Sequence, residues 1–168
     1  MRRFLLTFMC LLPTPAMAHI VATPNHAAAG EYTEISFRIG HGCDGKATTG
    51  IAITMPKGLT EVVPQYKYGW PVEVRTAGPQ PGAEVNEVLW SKFLLPPNLF
   101  DDFTFLIKLP KTAGQTLWFP VTQTCGDTTV RWDQIPAAGQ EWHDLKNPAP
   151  FVKLDAGNDM SMGDMHHH

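Results

Sequence analysis

The chain has 168 residues, of which 43% are hydrophobic, 17% charged and 10% aromatic, with 14 glycines, 15 prolines and a formal net charge of −3. A proline in a helix interior costs about 3 kcal/mol, so prolines recurring along nearly the whole length exclude a bundle of long helices. Plentiful aromatic and β-branched residues exclude a coiled coil or a wholly disordered chain, and the lack of any basic run argues against nucleic-acid binding.

The first element in chain order reads as an export signal. Met1-Arg2-Arg3 is positive, Phe4 to Leu12 is apolar, and Ala16-Met17-Ala18 has the small-x-small form of a cleavage site. The apolar run is shorter than the roughly 20 residues a membrane span needs. The expectation is therefore cleavage after Ala18, export to the periplasm or cell surface, and no stable membrane span afterwards. Processing removes Arg2, Arg3 and Cys10, which takes the net charge from −3 to −5 and leaves Cys43 and Cys125. Two cysteines in an exported chain most often pair, and closing a loop of this length is worth about 4–5 kcal/mol in chain entropy. The mature chain would begin at His19.

Tyr32 to Ile39 alternates in the manner of a half-buried strand. Further strands are expected at Thr48–Met55, Leu59–Tyr66, Pro71–Thr76, Glu87–Phe93, Asp102–Leu109, Gln115–Thr124 and Thr128–Trp132. Turn-forming stretches separate them at Gly40 to Gly45, Pro56-Lys57-Gly58, Gly78 to Gly82 and Pro96-Pro97-Asn98. Short strands at this spacing, with no amphipathic helical stretch, predict an all-β, immunoglobulin-like antiparallel β-sandwich over residues 19–153. From about Asn147 the pattern fades, and residues 154–168 read as a flexible tail.

Three residues carry the candidate chemistry. An N-terminal His19 offers its α-amine and its Nδ1 to one metal ion in a single chelate ring. The amine has a reference pKa near 7.7–8.0, so a metal can displace its proton close to neutrality. Nitrogen donors with a tetragonal preference favour Cu(II). Asp44 beside Cys43 can add an oxygen ligand, or can serve only the turn Gly42-Cys-Asp-Gly45. Trp132 has an N–H donor and no ordinary ligand lone pair, so it either covers a cation or belongs to the core. His26, His41 and His143 read as structural or surface residues, with His41 the nearest rival ligand.

Several runs occur together and in order: His19-Ile-Val-Ala-Thr-Pro24, Gly30 to Arg38, His41-Gly-Cys-Asp-Gly45, Pro64 to Trp70, Leu117 to Cys125, and Arg131-Trp132. In these the chain resembles the YcnI family of exported bacterial copper-binding proteins, over about His19 to Lys153. The resemblance implies an immunoglobulin-like sandwich holding Cu(II) in a mono-histidine brace. His19 would supply amine and Nδ1, Asp44 the acidic ligand, and Trp132 the tryptophan near the copper. The family's acidic ligand is a glutamate, one methylene longer than Asp44, so Glu31, Glu34 and Asp133 are alternative oxygen donors.

The tail adds soft and borderline donors: Met160, Met162, Met165, His166, His167 and His168. Thioethers select Cu(I), so a second copper site in the other oxidation state is one reading; an appended histidine tag, or no role, is the other. The function expected from the sequence is a non-enzymatic copper-trafficking or homeostasis protein whose partners are the ion and other periplasmic copper proteins. A histidine-brace copper oxygenase and a metal-free extracellular interaction module are the alternatives.

Overall fold

A computed structural model describes residues 19–157. The export signal (1–18) and the methionine- and histidine-bearing part of the tail (158–168) lie outside the described residues. The strands are β1 (Val21–Thr23), β2 (His26–Ala28), β3 (Tyr32–Ile39), β4 (Thr48–Thr54), β5 (Val62–Pro64), β6 (Val72–Thr76), β7 (Val85–Leu95), β8 (Asp101–Lys108), β9 (Thr116–Trp118), β10 (Val121–Cys125), β11 (Thr128–Trp132) and β12 (Phe151–Asp155), with one 3-10 turn at Trp142–Asp144.

One sheet has the order β1-β3-β8-β5 and the other β11-β10-β4-β7-β6, all antiparallel. Alternation decides which faces meet, because successive side chains point to opposite sides of a strand. Ile35, Phe37 and Ile39 of β3 and Phe103, Phe105 and Ile107 of β8 form one inner face. Ile51 and Ile53 of β4, Val88 and Trp90 of β7 and Val121 of β10 form the other. Contact across the two layers is aromatic: the Trp90 ring lies 5.4 Å from Phe103 and 5.8 Å from Phe105. The expected antiparallel sandwich is therefore present.

Three departures from the expected strands have local causes. The single strand expected over Gln115–Thr124 is broken by Pro120, which has no N–H to give a ladder, and its halves join different sheets. β9 belongs instead to a small third sheet, β2-β12-β9, in which β12 runs parallel to β2 and antiparallel to β9. The chain is also ordered where the pattern was expected to fade: β12 runs to Asp155 and buries Val152 and Leu154 completely. The strand expected over Leu59–Tyr66 shrinks to three residues, although Leu59 itself is buried.

Phe105 packs against Trp90 in the facing sheet and against Phe37 beside it, with no exposed surface. Phe105→Ala should cost about 3–5 kcal/mol. Chemical unfolding followed by circular dichroism should show the midpoint moving with an unchanged slope.

Candidate functional site at the amino-terminal end of the sandwich

The register of β1 decides where His19 lies. Val21 faces Arg38 and Thr23 faces Ser36, so continuing the ladder outward brings His19 beside the end of β3, at Gly40 and His41. Ile20 anchors the approach, being only 2% exposed. The half-buried His19 ring meets two indoles edge-on, Trp142 with centroids 5.1 Å apart and Trp132 at 6.4 Å. His41 meets the same Trp132 from its own loop, at 6.2 Å and 61°.

Trp132 is held by a buried polar chain. Its Nε1 donates to Oε1 of Gln123 at 3.1 Å, while the Gln123 amide nitrogen donates to the His41 carbonyl and to Thr48 Oγ1, both at 2.8 Å. Gln123 and Thr48 are among the few buried polar residues of the described chain, and bonding of this kind is what makes such burial tolerable. With its Nε1 committed to Gln123, Trp132 is a wall of the site and not a donor to it.

The His41 ring is set by its own loop. Nδ1 lies 2.6 Å from the carbonyl oxygen of Gly42, which can only accept, so Nδ1 is the donor in that bond. The loop has little freedom. A Cβ at Gly42 would meet the Lys46 carbonyl oxygen at 1.8 Å, and the Gly42 N–H donates to Pro97 O at 3.3 Å. Cys43 is bonded to Cys125, with Cα atoms 5.8 Å apart, as expected from the sequence.

Asp44 occupies a different place. It and Gly45 have φ of 48° and 75°, and the Lys46 N–H closes on Cys43 O at 2.8 Å, a tight turn with both central residues left-handed. Lys46, which closes the turn, has its Nζ tied to Asp127 at 2.6 Å and Thr128 at 3.0 Å, at the tip of the β10–β11 hairpin. The backbone of Trp132 stands four residues down β11 from Thr128, roughly 13 Å away. Asp44 is exposed, and among the described residues no hydrogen bond, ion pair or ring contact joins it to His19.

Glu34 lies toward the far end of β3, six positions from Gly40 and so about 20 Å along the strand, and Glu31 is farther still. Asp133 accepts from Arg131 Nε at 3.0 Å on the face opposite Trp132. Among the described residues no group of three or more His, Cys, Asp or Glu side chains is arranged to hold a metal. A chelate that draws on a main-chain amine, as an N-terminal histidine does, is a different donor set.

Two contributors were not singled out in the sequence. Gln123 had a readable signal, since alternation puts it inward between Val121 and Cys125, a polar residue on an apolar face. Trp142 had none, because it sits on a short 3-10 turn within an irregular stretch. Tertiary bonds hold that stretch: Trp142 Nε1 donates to Ala149 O at 2.7 Å, and Gln134 bridges to Asn147 and Ala149.

Charge near the site is paired. Arg38, next to β1, forks onto Asp102 with bonds of 2.9 and 2.8 Å, and this bonding holds the Asp102 carboxyl below its ordinary range. Lys46 does the same for Asp127.

Residues 19–154 match a protein family described as a domain of unknown function, DUF1775. The chain belongs to this DUF1775 family. Among solved structures, a protein of uncharacterised function from Nocardia farcinica with an immunoglobulin-like fold shares 28% identity over 82% of this chain and 99% of its own, with a TM-score of 0.68. The sandwich is thus immunoglobulin-like, as the sequence predicts. A cohesin module from a Clostridium perfringens family 33 glycoside hydrolase matches at 13% identity over 82% of this chain and 98% of its own, with a TM-score of 0.46. No curated protein gives a significant match. Among the described residues of this DUF1775 domain, no helix is long and apolar enough to cross a membrane.

Two outcomes follow from this geometry. Gln123→Leu keeps the volume but strands Trp132 Nε1 and the His41 carbonyl, and should destabilise by about 1–3 kcal/mol with a shift in near-ultraviolet circular dichroism. Because the Asp102 carboxyl is held below its unfolded value, its pair with Arg38 stabilises above that value and the benefit is lost as pH falls through the folded one. Asp102→Asn should therefore flatten the acid side of the stability profile measured by thermal melts.

Proposed function

We propose that this DUF1775 protein is an exported, non-enzymatic copper carrier. Cleavage after Ala18 would expose the His19 amine, and amine and Nδ1 together would hold Cu(II) as cargo for copper trafficking or homeostasis. The observation that carries the reading is the setting of His19. A residue expected to become a chain terminus is anchored by buried Ile20, and its ring stands against two indoles. A terminus with no role has no need of such a wall. The donor set also fits the ion, since amine and imidazole nitrogens suit Cu(II), while the neighbouring indoles limit access by water.

The tail is a separate matter. The described chain ends at Gly157, after a strand whose Asp155 carbonyl accepts from Ala29 N–H at 3.0 Å, near the start of β3. His19 is at the other end of β3, roughly 25 Å away for an eight-residue strand. Met160, Met162, Met165 and His166 to His168 lie outside the described residues; as soft and borderline donors they would suit Cu(I). The partner that receives copper would be another copper protein of the same compartment.

A copper oxygenase is the competing reading, favoured by the second imidazole that Trp132 brings close; reductant-dependent oxidation of a substrate by the loaded protein would establish it. The first test is Cu(II) titration of protein beginning at His19, followed by electron paramagnetic resonance. One equivalent should bind in a tetragonal nitrogen-rich environment and survive removal of residues 158–168. His19→Ala, or one extra residue before His19, should abolish it. No binding, together with an unchanged melting temperature on adding copper, would leave a metal-free interaction module.

A further inference from the structure

We infer that the free edge of β6 is a self-pairing surface, to which a second copy of this chain adds its own β6, antiparallel, about a two-fold axis at Val74. The surface lies apart from His19 and needs no metal. β6 ends its sheet, in the order β11-β10-β4-β7-β6, so one side of the strand bonds β7 and the other has no strand beside it. Pro71 O accepts from Ser91 N–H at 3.1 Å and Glu84 O from Ala77 N–H at 2.8 Å, which fixes the phase of the ladder at both ends of β6. Antiparallel pairs alternate between bonded and non-bonded. Glu73 and Arg75 therefore turn their backbone groups to β7, while Val72, Val74 and Thr76 turn theirs outward.

Native edges of this kind are commonly blocked by proline, by a covering segment or by charges that repel an incoming strand. Between Val72 and Thr76 there is no proline, all five residues are exposed, and the two charges are of opposite sign. Val72 and Val74 share the inner face with their partners Trp90 and Val88, which are fully buried, yet they are themselves 36% and 41% exposed. Apolar surface at the rim of the core is thus left for a second copy to cover.

Charge selects the register. Pairing about Val74 sets Val74 on Val74 and Val72 on Thr76 as bonded pairs. It sets Glu73 on Arg75 of the second copy as a non-bonded pair, in which side chains come closest. The two neighbouring registers that keep the backbone in phase set Glu73 on Glu73 or Arg75 on Arg75, and like charges directly opposite are destabilising. Within one chain Glu73 accepts from Arg75 along the strand at 2.8 and 3.5 Å, and Arg75 Nη1 donates to Glu87 at 2.6 Å. With its five N–H donors the guanidinium can keep Glu87 and also donate to Glu73 of the second copy. The two-fold repeats every one of these pairs, as an isologous contact requires. β11, which carries Trp132, lies four strands from β6, roughly 19 Å away, so the pairing leaves both His19 ends on the outer flanks.

The experiment uses the chain beginning at His19. Five residues a side make a small contact beside the roughly 800 Å² per partner of stable complexes, so the pairing should be reversible and concentration-dependent. Sedimentation velocity up to about 1 mM protein should show monomer passing to dimer and no further. Amide exchange followed by nuclear magnetic resonance reads the edge without any variant. The N–H groups of Val72, Val74 and Thr76 should exchange several-fold more slowly in concentrated than in dilute protein, with amides on the other sheet edges unchanged. A chain that stays monomeric throughout, or exchange at β6 indifferent to concentration, overturns the inference. Glu73→Arg and Arg75→Glu each set like charges opposite one another and should weaken dimerisation about tenfold or more. Mixed in equal amounts, the two variants regain both opposite-charge pairs and should form a heterodimer. Variants that dimerise as the parent does, or a mixture no more associated than its components, overturn the register at Val74. Should either variant fail to fold, the exchange measurement on the parent chain decides.

Discussion

The amide of Gln123 is buried among Trp132, His41 and Thr48, with both its oxygen and its nitrogen in hydrogen bonds. Around it the end of the sandwich near His19 has only one satisfied arrangement. Move the His41 loop and a buried amide loses an acceptor; turn Trp132 and it loses a donor. Each loss costs on the order of 1–3 kcal/mol, a sizeable part of the margin by which a domain is stable. The aromatic packing between the sheets, by contrast, is non-directional and fixes no particular ring orientation at the periphery. Apolar burial makes the sandwich, and a short polar chain makes the site within it.

Much of the fold could be read from alternation. β3, β4, β8 and β11 lie where period-two patterning puts them because each has one face on the core and one toward solvent. What escaped was of two kinds. β1 and β2 are three residues long, too short for any periodicity to register. β12 follows a run of prolines and polar residues and is identifiable only by its partners, β2 and β9, which are distant in sequence. Pro120 was visible, but the exchange of sheets that it permits depends on the third sheet.

The site was legible in part, and for the same reasons. Trp132 is seven residues from Cys125 in sequence, yet the two stand at opposite ends of a hairpin. The indole comes to the site by the reach of its inward side chain toward Gln123. Gly42-Cys-Asp-Gly45 contains both a turn signal and a candidate carboxylate, and the backbone conformation of Asp44 answers to the turn. His41 was read as a structural or surface residue and the nearest rival ligand; its ring contact with Trp132 depends on the tertiary fold.

The covalent tie between Cys43 and Cys125 has a bearing on when this end of the molecule takes shape. Cys43 immediately follows His41 and Gly42, so the bond that pins their loop to β10 exists only where thiols are oxidised. In a reducing compartment each sheet would still have its own core, but the His41 loop would depend on weaker contacts to Pro97 and Gln123. Loop order is thereby coupled to ambient potential, and this end of the sandwich takes its final shape only once the bond has closed.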